Sequence, residues 1–236
     1  MTMLSVVQSA AQRIGIESPN AVIGNTDLQV IQLLALLNEE GDELRSRHRW
    51  QRMIKTESFT TVATASQGTL SSIFTDGDLD YIINDTIWNQ TTRRPVLGPL
   101  NEMEWQVLQA SPVTGPYHQY RITGNTLYFD PVPSAGDTCA MSYYSLNWVE
   151  SASSTAMSST TADTDTFYLP ENILKQGLVW RWKQVKGFDY AEDFQKYERL
   201  VADATARDGT KRSINMGGGI SGFQPGIFIP SGNWSV

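Results

Sequence analysis

Two histidines, one cysteine and a few carboxylate pairs are the residues of this chain that could do chemistry, and their spacing decides how far they go. His48 and His118 fall in segments of different predicted type. A triad built on His48 would form an imidazolium, which the surrounding Arg45, Arg47, Arg49 and Arg52 oppose. Neither a G-x-x-x-x-G-K-[ST] phosphate cradle nor a G-x-S-x-G elbow occurs. The lone Cys139 can make neither an internal disulfide nor a cysteine zinc site. "DGDLD" (76–80) and "DTDT" (163–166) resemble pieces of calcium loops without the glycine and distant glutamate of an EF-hand. Carboxylates in exposed turns is the simpler reading of both. "GGG" (217–219) follows no strand and opens no helix, which makes it a hinge rather than a nucleotide loop. These residues predict no catalytic, cofactor-binding or metal site, and a protein that is not an enzyme.

The chain is long enough to bury one or two real cores, since a compact protein of this size hides roughly 70% of its extended-chain surface. Hydrophobic residues at 40% and charged ones at 18% describe an ordinary globular composition. A net charge of −7 argues against general nucleic-acid binding by phosphate neutralisation. No apolar run approaches the roughly 20 residues of a membrane helix. The start "MTMLSVVQSAAQR" lacks the basic and apolar regions of a signal peptide. The expectation is a cytosolic product with no membrane partner.

The elements follow from periodicity. Leu4, Val7, Ala11 and Ile14 recur at helical spacing between a Thr2 cap and Gly15. A second helix runs from an Asp27 cap to about Arg49, with Leu28, Ile31, Leu34 and Leu37 as its stripe. Leu33, Leu36 and Leu44 widen that stripe, so the helix belongs inside a bundle. From Thr56 the pattern alternates, and "TGNT" between Ile122 and Leu127 carries the turn chemistry of a hairpin. The Ser/Thr-dominated stretch 150–166 reads as a loose connector. A helical hairpin follows, with Pro170 in its first turn, Gly187 as a stop and Asp189 as the second cap. The second helix's stripe is Tyr190, Phe194, Tyr197, Val201 and Ala204.

The fold class is therefore α+β. Residues 1–55 supply the N-terminal part of a helical bundle, and 56–149 an inserted antiparallel β domain. Residues 150–166 are the connector, 167–208 the C-terminal helical hairpin, and 209–236 an extended tail. The tail carries Phe223, Phe228, Ile229 and Trp234, and a segment so spaced with large apolar residues is one that docks.

Three uses stand open for the arginines at 45–55. They can satisfy terminal carbonyls and the helix dipole, pair with carboxylates of a neighbouring subunit, or touch DNA. Trp180 and Trp182 lie two apart and point to different helix faces, one for the core and one for a contact between subunits.

Three stretches occur in consistent order: "NDTIWNQTTRRPVLGPLNEMEWQ", "YRITGNTLYFDPVPSAGDTCAMSYYSLNWV" and "DTDTFYLPENILKQGLVWRWKQVKGFDYAEDFQKYERLVADATARDG". Together, over roughly residues 25–215, the chain resembles the head-to-tail adaptor proteins of tailed bacteriophages, the tail tubular protein A-like or virion adaptor family. "GDLDYIIND" departs from the more proline-marked approach expected there, which leaves the start of the β part open.

The resemblance implies a structural virion protein without an active site. It implies a ring, commonly of about twelve subunits, under the portal vertex. Its partners would be the portal protein, a downstream tail or nozzle protein and copies of itself, with genomic DNA passing through the lumen without specific binding. The location implied is the virion neck, assembled in the host bacterial cytoplasm. By the same resemblance Trp88, Arg93, Arg94, Trp105 and the Gly98-Pro99 turn belong to a β part that packs on itself, on neighbours or on the tail. The Phe223–Trp234 tail would dock on the portal or an adjacent subunit. Twelve copies at −7 would place about −84 formal charges around the bore, which discourages DNA from sticking. A rival expectation is a tail component that binds host-surface carbohydrate through its β domain, using Trp88, Trp105 and Trp148 as stacking platforms.

Overall fold

A computed structural model describes residues 1–110 and 115–209, and these form two compact units. The first joins residues 1–54 to 144–209, and the second spans 55–143. Along the chain run α1 (Met3–Ile14), α2 (Leu28–Arg47), β1 (Ile54–Thr60), β2 (Ser66–Thr69), α3 (Leu70–Ile73) and β3 (Leu79–Ile82). Next come β4 (Trp88–Asn89), β5 (Arg94–Pro95), α4 (Glu102–Ala110), β6 (Gln119–Thr123), β7 (Thr126–Asp130) and β8 (Thr138–Ser145). The last are β9 (Val149–Glu150), β10 (Ala156–Met157), β11 (Thr166–Phe167), α5 (Glu171–Lys186) and α6 (Ala191–Arg207). The protein is α+β, with helices from the two ends of the described chain packed together and antiparallel strand pairs between them in sequence.

The first unit is a bundle around α5, which packs against α1, α2 and α6. Helix α1 starts where the Thr2 side chain accepts from the Ser5 amide and stops at Gly15 in the left-handed region. Helix α2 starts at the Asp27 cap and ends at Arg47, two residues earlier than its sequence pattern indicates. Its buried line, Val30, Leu33, Leu37, Glu40 and Leu44 with Leu36 and Gly41 beside it, includes Leu37 of the expected stripe and the widening Leu33, Leu36 and Leu44, but not Leu28, Ile31 or Leu34. Leu28 is 80% exposed and Ile31 46% exposed, while Leu34 is half-buried. The reason is angular: steps of three residues fall about 60° short of a full turn, whereas alternating steps of three and four hold one face.

Helix α5 ends at Gly187, whose φ of 76° is the left-handed conformation that favours glycine. With helices on several sides of α5, both Trp180 and Trp182 are buried, so neither is left for a neighbouring subunit. Helix α6 is capped at Tyr190, one residue beyond the predicted Asp189, although the Asp189 carboxylate still accepts from the Ala191 amide at 3.1 Å.

The Ser/Thr-rich stretch is ordered rather than loose. It carries a small sheet in the order β10–β9–β11. Asp163 accepts from the amides of Val22 (3.1 Å) and Ile23 (2.9 Å). Asp165, fully buried, accepts from the Thr161 (2.7 Å) and Ala162 (2.8 Å) amides. The carboxylates of "DTDT" thus close turns by capping backbone, a structural use of residues that favour turns.

The second unit holds a five-stranded sheet, with the path β1–β8–β4–β5 and β3 also on β8, and a three-stranded sheet β2–β7–β6. The β6–β7 hairpin turns through Gly124 (φ 58°) and Asn125 (φ 61°), as the "TGNT" motif predicts. Helix α4 is an element the sequence pattern did not indicate. Asn101 and Glu104 build its first turn reciprocally: the Asn101 side chain accepts from the Glu104 amide (2.8 Å), and Glu104 accepts from the Asn101 amide (2.9 Å).

Asp78 of "DGDLD" is buried, not in an exposed turn. It accepts from Lys55 Nζ at 2.6 Å and from the Tyr143 hydroxyl at 2.8 Å. Burial, then Asp78 itself, pushes the Tyr143 hydroxyl pKa up. Replacing Asp78 with alanine strands both donors, and chemical denaturation should show a loss of about 2–3 kcal/mol. Tyr143→Phe, which removes one donor and leaves the Lys55 pair, should cost clearly less.

Candidate functional site

The described histidines are occupied structurally. His48 Nε2 lies 3.1 Å from Asp208 Oδ2, and its ring meets Trp50 edge-on at 5.0 Å. His118 Nδ1 lies 2.8 Å from the Pro131 carbonyl, and its ring stacks on Phe129. Cys139 is buried in the second unit's core, where burial pushes its thiol pKa up to about 12. Among the described residues no three of His, Cys, Asp and Glu converge as metal ligands. No described helix is long and apolar enough to cross a membrane.

The charged centre of the molecule lies inside the bundle. Arg181, buried on α5, donates from Nε to Glu40 at 2.6 Å and from Nη1 to Glu39 at 2.8 Å, and its Nη2 pairs with Glu43. Glu40 is fully buried because α5 presents Gly177 to it: a Cβ there would lie 2.3 Å from the Glu40 carboxyl carbon. Burial raises the Glu40 pKa above its ordinary value, with Arg181 pulling against that rise. Burial acts the same way on Glu43, but bonds from Arg181 and Arg47 outweigh it and hold the pKa down. One residue beyond Glu40 on α2, Gly41 lets Trp148 lie against the helix backbone, since a Cβ there would come within 2.2 Å of the indole. Trp148 stacks on Phe167 at 5.7 Å and donates to Asp42 at 3.1 Å. These contacts lock the bundle, and sequence reasoning missed Glu40, Gly41 and Arg181 because their partners lie far along the chain.

The arginine cluster divides. Arg47 is engaged within its own subunit, pairing with Glu43 (2.5 Å) and Glu198 (2.6 Å) beside the Tyr197 ring. Arg45 is half-buried, and Arg49 is exposed with its guanidinium 5.9 Å from the Tyr144 ring. Arg52 is exposed at the rim of a groove of about 300 Å³ that Trp50, Tyr168, Pro170, Ala204 and Arg207 also line.

In the second unit Trp88 is half-buried in β4, between Pro95 of β5 and Ala140 of β8. Arg93 and Arg94 are exposed, and Arg94 donates to the Pro116 carbonyl at 3.1 Å. Trp105 is buried with the Arg121 guanidinium 4.8 Å from its ring. Trp148 and Trp105 are therefore interior residues, and the sugar-platform reading loses two of its three aromatics. Phe223, Phe228, Ile229 and Trp234 lie outside the described residues, as does the "GGG" hinge.

What is left outward is apolar surface. On α4, exposed Met103 and Val107 join Leu100 and Leu108 around a groove of about 440 Å³. On the first unit, Leu28 and Ile31 face outward on α2, and Val185 (53% exposed) and Phe188 (62%) do so at the α5–α6 turn.

Buried ion pairs and aromatic stacking thus hold the scaffold, and apolar side chains remain on its surface. The model of the SU10 adaptor protein family matches residues 1–218, and the chain belongs to that family. It is thus a bacteriophage adaptor, a structural component of the virion that works between head and tail with portal and tail proteins. No curated protein matches the chain.

Proposed function

We propose that the protein is a head-to-tail connector whose copies form a ring beneath the portal and join the DNA-filled capsid to the tail. The observation that carries this reading is the exposed apolar surface of the first unit, left over after α5 has been covered by three helices. Leu28, Ile31, Val185 and Phe188 cost free energy in water and are relieved by contact with another chain. A ring needs such surface twice on each subunit, because a head-to-tail contact uses two different patches. Arg49, Arg52, Arg93 and Arg94 are exposed and can take part in such contacts, where guanidinium forks pair with carboxylates. The net charge of −7 per copy suits a conduit through which DNA passes without binding. The second unit faces the next tail component, and the Phe223–Trp234 segment docks on portal or an adjacent copy. The protein catalyses nothing in this role and uses no cofactor. It assembles in the host cytoplasm.

Native mass spectrometry of the full chain mixed with portal tests the reading. Copies should join the portal in a fixed multiple matching a ring, about twelve. Mature particles without the protein at the junction below the capsid would end it.

A further inference from the structure

Helix α2 has a second stripe whose apolar end the bundle does not cover; of its acids, Glu39 pairs with Arg181 at 2.8 Å and Asp42 accepts from Trp148 at 3.1 Å, and both stay exposed. Leu28, Ile31, Ala35, Glu39 and Asp42 recur at steps of three and four on the side opposite its buried line, and all five are exposed. The stripe begins apolar and turns acidic, and residues 28–44 contain no Lys or Arg. The end of α5 and the turn after it set bases beside apolar side chains. Val185 and Phe188 are exposed there beside Lys183 and Lys186, and Asp189 follows in the turn, where it accepts from the Ala191 amide. Lys183 is held on Asp193 at 2.5 Å, while the Lys186 ammonium lies 4.6 Å from the Trp182 ring centre and stays at the surface.

The α5–α6 turn also lies level with the middle of the stripe along the bundle. The end of α2 meets the beginning of α5, because Trp50 and Pro170 line one groove, so these helices run antiparallel. Glu40 sits opposite Gly177 and Arg181. From that level α5 rises about 9 Å to Gly187, while α2 rises about as much to Leu34 and continues to Leu28. Copies related by rotation about an axis along the bundle meet at equal heights.

We infer that the outer stripe of α2 on one copy receives the α5–α6 turn of the next, with Phe188 and Val185 against Leu28 and Ile31 and Lys186 toward Glu39 and Asp42. This rests on the ring reading above and names the surfaces that build it. The occupant of the stripe is a second copy because this chain itself supplies the complement, apolar centre and opposite charge together, on the same unit. The contact is head-to-tail, since stripe and turn are different surfaces, and such a contact propagates to a closed ring.

A photo-crosslinking probe tests this on the full chain. A benzophenone maleimide is attached through Leu28→Cys, a position exposed enough to carry it without disturbing the fold. Cys139 stays unlabelled, being buried with its thiol pKa raised. The labelled protein is mixed with an isotope-marked copy and with portal, irradiated, and mapped by peptide mass spectrometry. The adduct should fall within residues 183–190 of the isotope-marked copy, and the reciprocal probe at Phe188→Cys should map to 28–39. Adducts on portal, on the probe's own chain or on another region of the second copy would overturn the assignment. If copies still gather on portal in that case, the surfaces are wrong and the ring stands. If unlabelled copies do not gather at all, both fall.

Discussion

Arg181→Ala should lower the stability of the bundle by about 3–5 kcal/mol, the usual cost of removing one partner of a buried ion pair. The size follows from what remains. Glu40 is fully buried, and without Arg181 it loses its charge partner while Gly177 still holds α5 close against it. Glu43 loses one of two guanidinium partners.

The loss should depend on pH in a definite direction. Burial already raises the Glu40 pKa, so folding is favoured with the group protonated. Its contribution is fully present below the ordinary glutamate value and declines as pH rises through the raised folded value. Removing Arg181 lifts that value further, so the variant loses more at neutral than at acidic pH. Urea denaturation across that range checks it. Adding Glu40→Gln to Arg181→Ala should recover part of the loss at neutral pH by removing the stranded charge. No recovery would mean that packing, not charge, sets the cost.

Trp148→Ala carries the second large effect, about 3–5 kcal/mol, as for other buried tryptophans truncated to alanine. The indole is fully buried, stacked on Phe167 and bonded to Asp42. Gly41→Ala attacks the same contact from the other side. The new methyl would overlap the indole, and overpacking of this kind costs roughly 1–3 kcal/mol. The two changes should not add. Once the indole is gone, Gly41→Ala meets empty space and should cost little or even gain through helix propensity. Thermal unfolding of the two single variants and the double closes the cycle, and simple additivity would show that Gly41 and Trp148 do not share one space. A carbohydrate platform would behave differently: its alanine variant stays folded and loses only sugar binding.

Both effects sit on contacts of long sequence separation, which marks where the sequence stops being readable. Thr2, Gly15, Asp27 and Gly187 announce the helix ends because a cap is settled within a few residues. The Gly124–Asn125 turn is legible for the same reason, since two residues at positive φ fix the hairpin. The α2 face was legible only in part: Leu33, Leu36, Leu37 and Leu44 are buried as expected, but Leu28, Ile31 and Leu34 are not, because apolar residues occur on every side of that helix and packing on α5 selects the buried face. Asp78 and Asp165 looked like exposed turn carboxylates, yet Tyr143 and the Thr161–Ala162 turn draw them inside. The Ser/Thr composition of 150–166 read as looseness, whereas those polar groups bond to backbone and to α2, as Thr160 does to Asn38. Helix α4 was hidden because its Asn-x-x-Glu start lies inside a stretch punctuated by Gly and Pro.

The same division holds for the surfaces. Residue type alone marks Arg47 and Trp148 as candidates for contact, but Arg47 is taken by Glu198 and Trp148 by Gly41 and Phe167 of the same chain. Leu28 and Ile31 looked like core and are surface. The α+β class, the helix caps at Thr2, Gly15, Asp27 and Gly187, the hairpin and the adaptor family can be read from the residues, since these rest on local hydrogen bonding, periodicity and ordered motifs. Which apolar and charged side chains are already used within the subunit emerges from the folded packing. That choice depends on which distant residue comes close, and chain spacing does not encode proximity.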